Sequence, residues 1–518
     1  MTDQRKKRKV EFGDFQTPLD LARDVCNVLT RKDWSPASVL ESTCGKGAFL
    51  RASLEVFPGA AFVRGFEYNS TYVDIARSVV ADYPNAKVEK GDFFSIDWDR
   101  VLSSLPDPIL VIGNPPWVTN AAVSSIGGTN LPEKSNVDRL RGIEALTGRS
   151  NFDISEWMLR ESLRWLNGRN AVLAVLCKTA VARKLLSFSW SNRVQIESAA
   201  IHRIDALKAF GASVDACLLV LKLQSGTQLR ECDVYEDLSS KTPSTQFGMR
   251  GDSLVADIEA YDRLSFLRNG SLIGWRSGVK HDSSRVFELT KHDGALFNGL
   301  GEQVEIESDV VFPLMKSSDV AHKREPRKFV VIPHRSMRES PLDLQRRAPA
   351  AWEYLQSHSA MLNKRGSSIY RKRPPFSIFG IGPYTFTDWK IAISGLYKEL
   401  SFAKIGPHNG RPVVFDDTCY LFPCESEEES QVLFELVTSP IATEFWSSLI
   451  FWDSKRPITS KLLNTLDLAA LARYLNRWTP VARRLAERQM MAYSDQRHQR
   501  TLFPFPVSGN VRELDGAV

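Results

Sequence analysis

The segment Asn114-Pro115-Pro116-Trp117 contains the residues that could most directly perform chemistry. The side-chain carbonyl of Asn114 and the backbone carbonyl of Pro115 are two closely spaced hydrogen-bond acceptors, and Trp117 adds a flat aromatic face. This set suits a planar ring with an exocyclic amino group, because the ring can stack on the indole while the carbonyl groups accept both N–H bonds. Asn114, Pro115, Pro116 and Trp117 are therefore our candidate catalytic residues, although the segment alone is equally compatible with a turn that closes a strand.

Several apolar runs must position these and other polar residues, and each run predicts a strand. The runs are 37–40, 61–66, 86–90 and 109–112, and they lead into Glu41, Glu67, Asp92 and Asn114. Helical patterns separate the runs, which is typical of a parallel sheet in an α/β fold. Open sheets of this kind bind ligands at the carboxyl ends of their strands, so we expect these side chains to share one site.

Gly45 and Gly47 lie between the first predicted strand and the helical pattern that follows it. Glycines in such a turn allow a ligand to approach the backbone closely. The turn lacks the third glycine of the dinucleotide fingerprint and has no Gly-Lys-Ser/Thr phosphate loop. A nucleotide-like ligand without a pyrophosphate is therefore expected.

Two acidic residues could bind the nucleoside part of such a ligand. Glu67 follows the second predicted strand, where a carboxylate can accept hydrogen bonds from both ribose hydroxyls. Asp92 follows the third and could accept from the amino group of an adenine, while Phe93 or Phe94 could flank the ring.

Thr17 and Pro18 stand at the start of an earlier helical pattern. A threonine hydroxyl and the free N–H groups of a helix start form a small anion site that suits a carboxylate. An ordinary helix cap is the alternative.

This series of motifs resembles the gamma-class, TaqI-like DNA adenine-N6 methyltransferases of type II restriction-modification systems, which use S-adenosyl-L-methionine. In that family a stretch like Phe15-Gln16-Thr17-Pro18 precedes the cofactor loop, and the matching motifs cover about the first 225 residues. Ser42 departs from the family pattern, in which Pro or Ala is usual. The resemblance implies that the residues binding the cofactor are Thr17 (its carboxylate), Glu41, Gly45 and Gly47 (its methionine part), Glu67 (its ribose), and Asp92 and Phe93 (its adenine).

The resemblance also assigns residues that contact the target base. The stretch 210–214 resembles the family element whose aromatic residue packs on a flipped base, so Trp117 and Phe210 are the predicted stacking pair. A core phenylalanine is the alternative for Phe210, since most buried aromatic residues simply pack.

The predicted fold class is α/β, with a Rossmann-like methyltransferase sheet followed by a mixed α+β target-recognition domain. We predict a basic tail at 1–12, a catalytic domain at 13–225, and a recognition domain at 226–518 with a helical C-terminal part. The segment 118–150 is polar and contains glycines, which is typical either of a lid loop or of disorder.

Basic residues are dense in the second predicted domain, and the formal net charge of the 518-residue chain is +6. Clusters of this kind suit phosphate contacts with double-stranded DNA. The predicted DNA-binding residues are Lys323, Arg324, Lys328, Arg335, Arg371, Lys372 and Arg373. By the same resemblance we expect a monomer whose cognate restriction endonuclease is encoded separately.

The cysteines are scattered and odd in number, without a Cys-x-x-Cys pair, so neither a disulfide framework nor a zinc site is expected. No metal is required by the predicted chemistry. Without a signal peptide or a long apolar segment, the chain is expected in the cytoplasm, away from membranes.

The identity of the methylated group stays open at this point. Cytosine-N4 has the same amine chemistry as adenine-N6, and an RNA or protein amide methyltransferase or a non-catalytic DNA-binding module are further alternatives. A cytosine-C5 enzyme is not expected, because Pro423-Cys424, the only Pro-Cys pair, lies outside the predicted catalytic domain. The DNA recognition sequence cannot be read from the chain.

Overall fold

A computed structural model describes residues 15–489, with gaps at 32–33, 118–153, 227, 270–273, 337–338, 340, 371–372 and 375. The chain divides into two compact units, Met1–Ile258 and Glu259–Val518. The predicted basic tail and the predicted lid segment 118–150 lie outside the described residues. No described helix is long and apolar enough to cross a membrane.

The first unit contains a ten-stranded sheet within the described residues. Its strands are β1 (Ser38–Glu41), β2 (Phe62–Glu67), β3 (Ala86–Lys90), β4 (Ile109–Gly113), β5 (Ala171–Lys178), β6 (Ile196–Ile204), β7 (Ala216–Leu223), β8 (Glu231–Tyr235), β9 (Thr245–Arg250) and β10 (Ser253–Val255). The spatial order is β10-β9-β8-β6-β7-β5-β4-β1-β2-β3. Strands β1 to β5 pair in parallel with their neighbours among themselves, whereas β7 runs antiparallel to both β5 and β6.

Helices connect the strands of this sheet. They are α1 (Leu19–Thr30), α2 (Ala48–Val56), α3 (Ser70–Val79), α4 (Trp98–Ser103), α5 (Ile154–Leu166), α6 (Thr179–Ser191) and α7 (Ala206–Phe210). Every residue of β4 is buried, and β5 is buried up to its last residue, Lys178. Apolar runs without polar alternation are expected for central strands that are covered on both faces. The predicted α/β class with a Rossmann-like sheet is therefore confirmed.

The order of the strands reverses beside β1, which pairs with β2 on one side and with β4 on the other. Ligands of open α/β sheets bind at such a reversal, in the crevice outside the carboxyl ends of the strands. The residues that follow β1 and β4 there are Glu41 at the end of β1 and Asn114 directly after β4. The fold thus brings two of the sequence-predicted site residues to neighbouring strand ends.

The first unit ends at Ile258, beyond the boundary at 225 that the sequence suggested. The reason is that β8 pairs in parallel with β6, and β9 and β10 follow as antiparallel strands of the same sheet. Hydrogen bonding between these strands thus attaches residues 231–255 to the sheet of the first unit.

The second unit combines two smaller sheets with helices, as the predicted α+β class requires. A four-stranded sheet has the order β11-β19-β16-β17, and a five-stranded sheet has the order β13-β12-β15-β14-β18. The strands are β11 (Arg276–Ser277), β12 (Glu288–His292), β13 (Ala295–Asn298), β14 (Val311–Met315), β15 (Lys328–Val331), β16 (Trp389–Ser394), β17 (Phe402–Ile405), β18 (Val414–Phe415) and β19 (Cys419–Cys424). The helices are α8 (Ile258–Leu264), α9 (Ser284–Phe287), α10 (Ser317–Ala321), α11 (Pro341–Arg347), α12 (Pro349–Ser357), α13 (Ser359–Leu362), α14 (Glu427–Val437), α15 (Pro440–Ser447), α16 (Ser460–Leu463) and α17 (Leu468–Tyr474).

Candidate active site at the carboxyl edge of the sheet

The turn between β1 and α2 is shaped by two glycines in left-handed backbone conformations. Gly45 has φ +51° and Gly47, the residue that precedes α2, has φ +86°. A Cβ atom on Gly45 would lie only 2.8 Å from the side-chain oxygen of Gln16. The same oxygen accepts a hydrogen bond from the backbone of Lys46 at 3.1 Å, so the segment before α1 is fastened to this turn. Other residues would strain the backbone here, which explains why the turn needs glycine.

Glu67, at the end of β2, joins the turn to the next loop. Its Oε2 accepts from the backbone N–H of Gly45 at 2.9 Å, and its Oε1 accepts from that of Asn69 at 2.7 Å. Both oxygens of this carboxylate thus accept from backbone N–H groups at the carboxyl edge of the sheet. The carboxylate lies at the end of β2, the position from which the ribose contact was predicted.

Glu41 is a buried carboxyl group, only 3% exposed, at the carboxyl end of β1. Burial, and next the nearby Glu67 carboxylate, raise the pKa of Glu41 well above its usual range, while a backbone hydrogen bond from Leu50 opposes this change. Its Oε2 is buried and has no hydrogen-bond partner among the described residues. Buried polar atoms are rarely left unpaired, so this oxygen fits a donor group of a bound ligand, such as the ammonium group of a methionine moiety.

The amide of Asn114 likewise has one polar atom with hydrogen-bond partners and one without. Its Nδ2 donates to the carbonyl of Phe15 at 3.1 Å and to the hydroxyl of Thr17 at 3.3 Å. Its Oδ1 is buried without a partner among the described residues. In the structure Thr17 is thus hydrogen-bonded to Asn114, whereas the sequence had suggested a contact between Thr17 and the cofactor carboxylate.

Trp117 is held at both its ring and its backbone. The indole N–H donates to the carbonyl of Leu176 at 3.3 Å, and Lys178 Nζ donates to the carbonyl of Trp117 at 3.1 Å. Both partners lie in the last residues of β5, the strand next to β4. The ring is 6% exposed and its position is thus fixed by the sheet.

The predicted pair Trp117 and Phe210 is in direct contact. Their ring centroids are 5.2 Å apart and their planes are inclined by 76°, which is an edge-to-face arrangement. Phe15 completes a small aromatic group, 5.8 Å from Trp117 and 6.2 Å from Phe210. In this arrangement the two predicted rings do not face each other across the width of a base, because they pack against each other instead.

The loop after β3 contains Asp92 and two phenylalanines in different environments. Asp92 Oδ1 accepts from the backbone of Phe94 at 3.0 Å. Phe93 is 6% exposed and packs against Trp98 and Trp165, with ring centroids at 5.2 and 5.4 Å. Phe94 is only half-buried. Of the two rings that the sequence offered for the adenine, Phe93 thus lies in an aromatic core and Phe94 is the more accessible.

Sequence reasoning missed Gln16 and Lys178 as parts of this site. Gln16 stands beside Thr17, but only the fold shows that its side chain reaches the glycine turn. Lys178 ends β5, so applying the strand-end rule to the fifth strand would have found it. Gln16 belongs to the stretch Phe15-Gln16-Thr17-Pro18, in which only Thr17 had been assigned a role, whereas Lys178 belongs to no motif that the sequence singles out.

In the second unit, Lys323 and Arg324 are exposed and line a cavity of about 480 Å³. Trp389 and Lys404 line the same cavity, and Lys404 Nζ lies 5.5 Å from the centroid of the Trp389 ring. Lys323 has φ +51°, a conformation that few non-glycine residues adopt. Cationic groups beside an aromatic face suit the backbone and bases of a nucleic acid.

Lys328 is in a different setting from the other predicted DNA contacts. Its Nζ lies 2.8 Å from Oε2 of Glu288, a buried carboxylate that also pairs with Lys316. The ammonium groups of Lys328 and Lys316 thus share the compensation of a buried charge. This ion pair distinguishes Lys328 from the exposed cations Lys323 and Arg324.

Arg335 and Arg373 are both exposed, and each guanidinium group lies near an aromatic ring, at 5.9 and 5.7 Å from its centroid. Such positions leave the charge accessible to a phosphate. Arg371 and Lys372 lie outside the described residues. Among the described residues, no group of three or more His, Cys, Asp or Glu side chains could hold a metal ion.

The sheet is Rossmann-like, and a glycine turn and acidic and amide groups lie at its adjacent carboxyl ends, as expected of a methyltransferase. Over 475 residues the chain is 42% identical to the type II methyltransferase M.NspV of Nostoc sp., and the alignment covers 91% of this chain and 99% of that protein. The chain belongs to the type II methyltransferases, the DNA-modifying enzymes of restriction-modification systems, and its methyl donor is S-adenosylmethionine.

Other similarities cover less of the chain or are more distant. The type II methyltransferase M.CvrRI of Paramecium bursaria Chlorella virus XZ-6E is 31% identical over 114 residues, which is 22% of this chain and 27% of that protein. The structure of the type IIL restriction-modification enzyme MmeI in complex with DNA shares 12% identity, with a TM-score of 0.45 and coverage of 96% of this chain and 79% of that one. No family model matches the sequence.

Proposed function

We propose that this chain is a gamma-class DNA methyltransferase that methylates the N6 amino group of a flipped-out adenine in double-stranded DNA. The observation that carries the proposal is the amide of Asn114. Its nitrogen is already held by Phe15 and Thr17, whereas its oxygen is buried without a partner among the described residues. An exocyclic N–H group would supply the missing donor.

The chemistry of the amine explains why acceptors are needed. The lone pair of an exocyclic adenine nitrogen is delocalised into the ring, so this nitrogen is a poor nucleophile. Asn114 Oδ1 and the carbonyl of Pro115 would accept its two N–H bonds and favour a more tetrahedral nitrogen with an available lone pair. The bound cofactor supplies an electrophilic methyl group. Asn114 has no basic group, so we assign no general base and expect the proton to leave to water.

A base inside a duplex cannot reach a buried amide, so the target must leave the stack. We propose that one face of Trp117 replaces part of the lost stacking. The two hydrogen bonds to β5 hold this ring in place. Phe210 packs against the indole in an edge-to-face arrangement, and we propose that it supports the ring on the side of the core.

We assign the cofactor contacts along the strand ends. Glu41 would bind the ammonium group of the methionine part, and the turn at Gly45 and Gly47 would pack against this part. Glu67 would bind the ribose, and Asp92 the adenine amino group. Phe94 replaces Phe93 as the proposed partner of the adenine ring, because Phe93 is buried against three tryptophans whereas Phe94 is half-buried.

We propose that the second unit recognises the DNA target. Support comes from its exposed cations, among which Lys323 and Arg324 share a cavity with an aromatic face. We further expect the enzyme to act as a monomer and to be accompanied by a separately encoded restriction endonuclease.

The identity of the product tests the proposal directly. The full chain is incubated with tritium-labelled S-adenosylmethionine and unmethylated bacteriophage DNA, and the DNA is digested to nucleosides. We expect the label in N6-methyldeoxyadenosine. Label in N4-methyldeoxycytidine would replace adenine by cytosine in the proposal, and label only in added RNA or protein would refute DNA as the substrate.

A variant separates catalysis from binding. Asn114→Ala should abolish methyl transfer while the affinity for S-adenosylhomocysteine stays close to that of the wild type. Simultaneous loss of both would mean that the substitution damages the site as a whole, and this would weaken the catalytic assignment.

A further inference from the structure

The amide of Asn114 has two chemically different ends, and only one of them can serve the proposed reaction. The oxygen accepts hydrogen bonds, whereas the nitrogen only donates them. An amino group in the site presents N–H bonds, so the amide must direct Oδ1 towards it. If the amide rotated by half a turn, its Nδ2 would face the N–H bonds of the amino group. Two donors would then meet, and no acceptor would be available to the amino group.

The segment before α1 determines this orientation. The carbonyl of Phe15, 3.1 Å from Nδ2, can only accept a hydrogen bond. The hydroxyl of Thr17, 3.3 Å from Nδ2, lies on the same side of the amide. Both oxygens thus accept hydrogen bonds from the nitrogen end of the amide. Rotation of the amide would place Oδ1 of Asn114 against the carbonyl oxygen of Phe15.

The burial of Asn114 Oδ1 is the second observation. This oxygen has no hydrogen-bond partner among the described residues. Among the described residues, hydrogen bonds thus satisfy the nitrogen end of the amide and leave the oxygen end available to another donor.

We propose that Thr17 is a positioning residue that, together with the carbonyl of Phe15, holds the nitrogen end of the Asn114 amide and so directs its acceptor towards the target amino group. This inference rests on the proposed function, in which Asn114 accepts from that group. This role is distinct from the cofactor contact that the family resemblance implies for Thr17. The two roles predict different kinetic defects, because one acts on the transfer step and the other on cofactor affinity.

The test compares Thr17→Val, which keeps the branched shape but removes the hydroxyl, with Thr17→Ser, which keeps the hydroxyl. Single-turnover methyl transfer to unmethylated bacteriophage DNA is measured at saturating S-adenosylmethionine, and the Kd of S-adenosylhomocysteine is measured separately. For Thr17→Val we expect a rate about tenfold lower, the effect of losing roughly one hydrogen bond, and a Kd changed by less than about twofold. Thr17→Ser should restore most of the rate.

Two outcomes would overturn the inference. A raised Kd with an unchanged rate at saturation would make Thr17 a cofactor ligand, and no change in either quantity would leave it without a role. Thermal unfolding midpoints of the two variants should agree, which shows that the Val variant is folded.

Asn114→Asp provides a second and independent arm. A carboxylate keeps an acceptor for the target but cannot donate to the carbonyl of Phe15. We expect a lower transfer rate than in the wild type, and an equal rate would contradict the need for an oriented amide. The product formed by the wild type tests the proposed function separately, since the inference concerns only the ratio of variant to wild-type rates.

Discussion

Cofactor binding should release a proton from Glu41. This carboxyl group is 3% exposed, and burial together with Glu67 raises its pKa well above the usual range. The free protein therefore keeps a proton on Glu41 to a higher pH than an exposed glutamate would. A cationic ammonium group placed beside the carboxylate favours the charged form and lowers the pKa again.

The magnitude follows from the linkage between proton and ligand binding. In the pH range between the lowered pKa of the complex and the raised pKa of the free protein, each ligand bound releases up to about one proton. Affinity should then increase with pH by up to about tenfold per pH unit, and it should level off above the raised pKa.

Calorimetry with S-adenosylhomocysteine measures this effect, because this ligand carries the same ammonium and carboxylate groups as the cofactor. Titrations in two buffers with different ionisation enthalpies, between about pH 6 and pH 8, give the number of protons released. Glu41→Gln should bind more weakly and release none of these protons. Glu55→Gln is the matched control, because Glu55 pairs with Arg23 and Arg51 away from the strand ends.

Equal proton release by the wild type and by Glu41→Gln would refute the reasoning, since the proton would then come from another group. Absence of any release in the wild type would show that Glu41 does not meet a cationic group of the cofactor.

Three further predictions concern the glycine turn and the second unit. Gly47→Ala should lower the free energy of unfolding by about 1–2 kcal/mol, because a non-glycine residue is strained at φ +86°. The same substitution should weaken cofactor binding. Gly59→Ala is the control and should change neither quantity, because the space around Gly59 is open. Burial lowers the pKa of Lys390 from 10.5 to about 7. The unfolded chain therefore binds more protons between these values, so stability should rise by up to about 1.4 kcal/mol per pH unit there, and Lys390→Met should abolish this slope in urea unfolding. Arg324→Gln should reduce the slope of log affinity for DNA against log salt by about 0.9, whereas Lys328→Gln, a residue already paired with a carboxylate, should leave it unchanged.

Each of these three predictions has an outcome that would contradict it. Equal effects of the two alanine variants would remove the strain argument, and a pH-independent difference for Lys390→Met would mean that the lysine is charged in the folded state. Equal salt slopes for Arg324→Gln and the wild type would place Arg324 away from the DNA.

The central strands could be predicted because their signal is local. The run 86–90 matches β3 as observed, and 109–112 matches β4 to within one residue. Strands β8 to β10 could not be placed from the sequence, because their membership in the first sheet depends on the pairing of β8 with β6. That pairing joins residues far apart in the chain and leaves no periodic pattern.

The candidate site could likewise be predicted only where the signal is local. The residues at the strand ends could be predicted from the sequence, and the fold places Glu41 and Asn114 at adjacent ends. The hydrogen bond between Thr17 and Asn114 joins residues that are 97 positions apart, so its existence depends on how α1 packs beside the sheet. Phe93 and Phe94 are neighbours of the same type, and only the packing of the tryptophans decides which of them lies in the core.

Two buried oxygen atoms at the carboxyl edge of the sheet, one on Glu41 and one on Asn114, relate the fold to the proposed reaction. Strands β1 and β4 pair in parallel with Leu40 opposite Val111, so Glu41 and Asn114 follow at neighbouring positions of the same edge. Each has one buried oxygen without a partner among the described residues. Burial of such oxygens costs free energy that packing elsewhere must offset, and a fold selected for stability alone would pair them. A cationic group for Glu41 and an amino group for Asn114 would satisfy both oxygens at once, which is what a methyl donor with a methionine part and an amine acceptor provide.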